Sequence, residues 1–229
     1  QDQRPQELLT IANHILGKNQ LSLAKYLWIC AREGDDPDIH DIGGFIRHIL
    51  ERFEPWRDLH FYTQTTIDTL DYSGTGLNAG SKVAIAAVGP RRRELWSELP
   101  ASVALPRSFA GHRMVMPGVL AVQAPPFTSY DAVPGEVAVL DAALRGQDLS
   151  GVPLMVLCDD AGFTAANESS FVWVTFTRSN PSHDVHGVDS FIEHKHWGCR
   201  GPVIIDARSK PHHAPALEKD PAVERRVDR

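Results

Sequence analysis

The apolar positions of this chain keep a small number of periods, and those periods name its elements. Leu8, Leu9, Ala12, Ile15 and Leu16 recur at helical spacing. Pro5 suits a first helical turn and Gly17 a stop, which predicts a helix over 4–16. Leu23–Cys30 is a compact apolar run of strand length. After the acidic loop GDDPDIHD at 34–41, Ile42, Phe45, Ile46, Ile49, Leu50 and Phe53 form one helical face. Asp41 is placed to cap that helix and Pro55 to end it. Asp58–Thr63 alternates like a half-buried strand, and Lys82–Val88 is a further apolar run. Leu99–Phe109 has two prolines and weak periodicity, so it reads as a connector. Met114–Ala124 predicts two short strands broken at Pro117-Gly118. A helix is predicted over 134–144, with Val137, Leu140 and Leu144 inward and Gly146 beyond its end. Pro153–Asp160 is another buried-strand run, with two acids at its C-terminal end that are capping groups or members of a ligand site. Phe171–Thr177 is β-branched and aromatic, so by itself it reads as a strand, although Asn167 before it suits an N-cap.

An internal repeat resolves that ambiguity. Arg52–Asp58 (RFEPWRD) and Arg178–Asp184 (RSNPSHD) share the pattern R-x-x-P-x-[RH]-D at an offset of 126 residues. At the same offset Phe45 falls on Phe171, Ile46 on Val172 and Leu50 on Phe176. A strand run lies upstream and downstream of each copy. Residues 167–177 are therefore expected to be a helix. The fold class is α/β, built from duplicated strand-helix-strand units with the sheet flanked by helices. The division expected is 1–98 for the first unit, 99–150 for a connector with short strands and a helix, and 151–229 for the second unit with a C-terminal arm. Arg52 and Arg178 are expected to satisfy the last free carbonyls of their helices, and Asp58 and Asp184 to cap amides or pair with a cation.

Composition narrows the class. At 229 residues with 42% hydrophobic and 23% charged residues, the chain is an ordinary globular one. A net charge of −6 argues against a nucleic-acid partner. Arg91, Arg92 and Arg93 read as a solvated loop. No apolar run is long enough to span a membrane and no secretory leader is visible. The start at Gln1 fits a processed product or a piece of a longer chain. Three cysteines without paired spacing, Cys30 and Cys158 reading as buried thiols, fit a reducing, cytoplasmic setting.

Candidate chemistry is sparse. Ser73–Lys82 (SGTGLNAGSK) is glycine-rich but is not a P-loop, because a strand follows it where a helix is needed. It is a flexible turn, or a backbone that approaches a ligand or another protomer, with Lys82 as its charged member. Lys82, Arg178 and Lys210 are the candidate cofactor-binding cations. The segment 167–215 holds six of the eleven histidines. His194, His196 and Cys199, with His212 and His213, are candidate metal ligands, since zinc takes nitrogen and sulfur donors. His194 and His196 would share one strand face. H-x-H-x-x-C is not a familiar zinc spacing, and packing of His196 and Trp197 in a contact between protomers is the other reading. A Cys199–His pair acting as a thiol nucleophile lacks an evident third group. Ser209–Pro215 (SKPHHAP) is expected to be an extended arm over a second protomer, before a last short helix over 215–229.

The run TFTRSNPSHD followed by GPVIIDARSK resembles the C-terminal region of UbiD-family decarboxylases. The first half is similar through LAKYLWIC, DDPDIHD, RFEPWRD, TIDTLDYSG and GSKVAIAA. The family's usual TR is Glu51-Arg52 in that copy. The resemblance implies a reversible decarboxylase of aromatic acids in ubiquinone or menaquinone synthesis. It implies prenylated flavin mononucleotide with manganese and potassium, where the cofactor serves as an electron sink. The family's flavin-binding domain, its metal ligands and its Glu–Arg–Glu set belong to the N-terminal half and match no position here, so no catalytic residue is carried over. The resemblance thus implies an assembly and domain-closure portion. Its implied partner is a flavin-binding domain, either upstream in the same chain or on a separate polypeptide, and the implied assembled state is a homo-oligomer. The alternative is a free-standing metal- or ligand-binding protein using residues 194–213.

Overall fold

The computed structural model describes residues 6–32, 34, 37–38, 40–109, 111–214 and 220–227. Helix α1 spans Glu7–Leu16, strand β1 Tyr26–Cys30, helix α2 Ile42–Leu50, and strands β2 and β3 Leu59–Thr65 and Gly80–Ala87. Strands β4 (Gly111–Met116) and β5 (Val119–Gln123) form a hairpin, followed by α3 (Val133–Leu144). Then come β6 (Leu154–Cys158), α4 (Ala161–Thr164), α5 (Glu168–Thr177), α6 (Pro181–Asp184) and β7 (Val185–Gly187). A second hairpin is β8 (Ser190–Glu193) and β9 (His196–Cys199), and β10 (Val203–Asp206) and α7 (Pro221–Val227) complete the order. The expected start of the first helix at Arg4-Pro5, parts of the acidic loop at 34–41, and residues 215–219 and 228–229 of the expected last helix lie outside the described residues.

The repeat is a repeat of topology. In the first unit β1 is parallel to β3 and β2 is antiparallel to it, in the order β1-β3-β2. In the second, β6 is parallel to β10 and β7 antiparallel to it, in the order β6-β10-β7. The hairpin β4–β5 extends the second trio into a five-stranded sheet through the parallel pair β5–β6. Residues 168–177 are helical. Asn167 accepts the Ser170 N–H at 2.8 Å, as Asp41 accepts the Gly44 N–H at 2.7 Å in the other copy. The β-preferring composition of this segment yields to burial: Phe171 and Val174 are core residues.

The turns correspond in the carboxylate that caps each of them. Asp58 Oδ2 accepts the Glu54 N–H at 2.8 Å, and Asp184 Oδ2 accepts the Asn180 N–H at 2.6 Å. Each carboxylate also meets a cation, Arg57 at 2.5 Å and Lys210 at 3.4 Å. Arg52 donates to the His48 carbonyl, as expected. Arg178 does not do this. It reaches Asp159 at 3.0 Å and lies over the Trp173 ring, while the Arg178 carbonyl is met by Lys210. The two units share one core, in which Ile46, Ile49 and Phe53 of the first pack with Phe171, Val185 and Ile205 of the second. Tyr26 and Trp28 set their rings against Phe176. Burying a side chain of this size stabilises the fold by about 1.5–3 kcal/mol.

Four local expectations are corrected. Arg93 is no solvated loop residue, because it donates to the Leu50 and Phe53 carbonyls and so closes the C-terminal end of α2. Lys82 lies inside β3, not in the glycine loop. His194 and Lys195 have φ of 50° and 67° and form the two-residue turn between β8 and β9, so His194 and His196 do not share a strand face. Ser209–His213 is no free arm: Lys210 is buried and the segment is strapped across the second unit.

Candidate functional site

A groove of about 590 Å³ opens where the two units meet. One wall is the loop that carries Tyr72, Gly74, Gly76 and Leu77; the other is Tyr130, His183 and His212. A second cleft of about 370 Å³ shares Thr75 and His183 with it and runs beside the end of β2.

The loop wall follows from its glycines. It folds back on itself through Thr75 N–H to the Ala79 carbonyl at 2.8 Å and Ala79 N–H to the Gly76 carbonyl at 3.0 Å. It rests on fully buried Ile67. A Cβ on Gly74 would sit 2.3 Å from the Ala79 carbonyl oxygen and 2.6 Å from Ile67 Cδ1, so only glycine allows this approach. Leu70, Tyr72 and Leu77 are left 79%, 59% and 82% exposed, three large apolar side chains in one loop.

The opposite wall is set by hydrogen bonds across the unit boundary. Ser81 accepts the Ser182 N–H at 2.8 Å and gives its own proton to Asn180 Oδ1. The Asn180 amide nitrogen is thereby free to donate to His183 Nδ1, at 3.1 Å. That leaves the His183 proton on Nε2. Tyr130 lies against His183 with ring centroids 5.3 Å apart and against Phe127 at 5.1 Å. Burial and the nearby Asp184 push the Tyr130 phenol well above its ordinary range, so it is a donor and no general base.

Beneath the groove lie two buried ion pairs. Lys25 meets Asp71 at 2.8 Å and Ser73 Oγ at 2.5 Å, and burial lowers its pKa against the pull of Asp71. Lys210 meets Asp184, both side chains fully inaccessible. Burial raises the Asp184 carboxyl to about 7 although Lys210 pulls the other way.

The expected site residues fall in separate places. Lys82 is buried and donates to the Thr66 carbonyl. Arg178 is committed to Asp159, and Lys210 to Asp184 and to the carbonyls of Arg178 and Asp206, each at 3.0 Å. A flavin phosphate needs cations with N–H groups to spare. Lys82 and Lys210 are buried and engaged; Arg178, 24% exposed, meets Asp159 through one guanidinium nitrogen and carries further N–H groups. His196 Nε2 is 2.8 Å from the Trp56 carbonyl and its ring lies 5.7 Å from His60. Cys199 is buried with its thiol pushed up to about 12 by burial, the opposite of an activated nucleophile. His212 and His213 sit on the strap, their rings 4.8 Å apart. Among the described residues no group of three His, Cys, Asp or Glu side chains is placed to hold a metal ion. None of their helices is long and apolar enough to cross a membrane. Tyr130, Lys25 and Asp71 escaped the sequence reading. A lysine inside an apolar run was the one available signal for Lys25, whereas nothing in the connector sets Tyr130 apart.

Comparisons with known proteins agree with the resemblance. Residues 1–87 match the family model described as 3-octaprenyl-4-hydroxybenzoate carboxy-lyase C-terminal domain. A Chlamydia pneumoniae protein, named as one component of a 4-hydroxybenzoate decarboxylase, is 33% identical over 96% of this chain and 35% of its own length. An uncharacterized Chlamydia caviae protein is 32% identical over 93% of this chain and 34% of its own. The chain thus spans about a third of the length of the curated relatives it matches. The open form of vanillic acid decarboxylase from Sedimentibacter hydroxybenzoicus aligns with 48% of this chain and 25% of its own, at 16% identity and a TM-score of 0.30. At that level the likeness says nothing about how the units are arranged. The match over 1–87 and relatives aligned along nearly the whole sequence make this chain similar to the C-terminal region of UbiD-family carboxy-lyases.

Proposed function

We propose that this chain is the assembly and domain-closure portion of a prenylated-FMN-dependent decarboxylase of aromatic acids, working in quinone biosynthesis in the cytoplasm. The catalytic half, with flavin, manganese and potassium, belongs to an upstream domain or a separate polypeptide. The carrying observation is the family match over residues 1–87; Lys82, Arg178 and Lys210 are engaged inside their own units, by the Thr66 carbonyl, Asp159 and Asp184. Relatives about three times as long leave ample sequence for a flavin domain. The exposed loop with Leu70, Tyr72 and Leu77 offers an apolar surface for that domain or for another copy.

The test is reconstitution. The chain is co-expressed with a flavin-binding UbiD N-terminal half, and association and decarboxylation of 4-hydroxybenzoate are followed with and without it. Binding, and turnover that depends on the chain, are expected. Replacing Leu70 and Leu77 with Ser should weaken binding at least tenfold, the loss of two desolvated apolar anchors. A flavin half that is fully active alone and does not bind the chain would remove the proposal.

A further inference from the structure

The strap Ser209–His213 is fastened by bonds that tolerate one protonation state only. Ser209 N–H and Oγ both reach Asp159 at 2.9 Å, and Lys210 reaches Asp184. The strap then closes on itself. The His213 N–H donates to the Lys210 carbonyl at 3.0 Å, and the Lys210 N–H donates to His213 Nδ1 at 3.2 Å. Accepting that bond requires Nδ1 to be bare, which puts the ring proton on Nε2. Nε2 is buried and finds no acceptor among the described residues. A second proton on this imidazole would abolish the Lys210 N–H bond and leave two donors facing each other.

The surroundings would not stabilise that proton. The charged groups facing His213 are cations: Lys210 on the strap itself, Arg178 after α5, and Lys25 before β1. Each already has its own carboxylate, Asp184, Asp159 and Asp71 respectively. Deeper on the strap's stem, Arg208 is held by Asp206 and by Glu136 of α3. His212 is the adjacent titratable ring, and His183 of α6 lies near it on the same wall of the groove. His186 of β7 is itself buried beside Asp206 and Lys210.

We propose that Ser209–His213 is a proton-released strap over the groove: protonation of His213 frees it, and because His212 lines the groove, its release opens the wall formed by Tyr130 and His212. Burial and the neighbouring cations hold the His213 imidazole at about 4 while the strap is closed; released, it returns toward its ordinary range near 6.5. The open state therefore binds more protons between those values, and acid favours it.

Hydrogen exchange of the 209–213 amides at pH 7.5 and 5.0, corrected for the intrinsic rate, tests this. Protection there should fall roughly tenfold per pH unit below about 6.5, while β5 and β6 stay protected. His213→Gln, whose amide oxygen can accept the Lys210 N–H but takes no proton, should keep the strap closed at pH 5.0. His213→Arg should open it at pH 7.5. Equal protection at both pH values, loss in step with β5 and β6, or a His213→Gln variant that opens at the same pH as the wild type would each overturn the proposal. If the Arg variant does not fold, the Gln variant decides.

Discussion

Arg208 is the largest fully buried side chain in the molecule's described residues, and replacing it should be costly for a calculable reason. Its guanidinium makes paired bonds to Asp206 at 2.9 and 2.7 Å, an ion pair to Glu136 at 2.7 Å and a bond to the Pro125 carbonyl at 2.8 Å. Burial alone would push the Asp206 carboxyl up, but the bonds and charge of Arg208 together with the charge of Lys210 outweigh it, and the net effect is a lowered pKa. Arg208→Met keeps the stem and removes the charge, leaving Asp206 at 0% exposure without its partner. Breaking one side of a buried pair costs about 3–5 kcal/mol. For a chain of this length that lowers Tm by roughly 10 °C. Urea unfolding followed by tryptophan fluorescence reads the loss directly. In the variant the stranded Asp206 is easier to bury as an acid, so the deficit should be smaller at pH 5 than at pH 8. Adding Asp206→Asn should recover a good part of it. A single variant within about 0.5 kcal/mol of the wild type, or no recovery in the double variant, would refute the view that this network holds β10 to α3 through charge.

Three further outcomes follow from the same structure. Asp184 keeps its proton to about 7 when folded and to near 4 when unfolded, so its contribution is full below pH 4 and is lost as the pH rises to about 7, a span on the order of 4 kcal/mol. Asp184→Asn cannot follow that change and should be more destabilising at pH 4.5 than at pH 8, as read from urea midpoints at the two values. Asn167→Ala removes the cap of α5 and should cost about 1 kcal/mol, matched by Asp41→Ala in the other copy; thermal melts showing neither effect would contradict the equivalence of the two helices. Gly118 turns the β4–β5 hairpin at a φ of 83°, where a Cβ would meet Leu95 Cδ2 at 2.7 Å, so Gly118→Ala should lower stability by about 1–3 kcal/mol in the same assay.

What the sequence determined by itself was the duplication and nearly everything local. The 126-residue offset carries the helix at 168–177, where composition alone argues for a strand, and the two carboxylate-capped turns. Periodicity and capping residues act over a few positions, so they survive in one dimension. The tertiary structure decided where the charges go. Lys210 and Asp184 are 26 residues apart in sequence, Lys25 and Asp71 are 46 apart, and neither pairing leaves a spacing to read. His194, His196 and Cys199 were grouped by proximity along the chain, yet a tight turn and a strand point them to different surroundings. The groove is likewise a product of packing, since its walls come from residues near 72, 130, 183 and 212, brought together only because two copies of one unit close on a shared core.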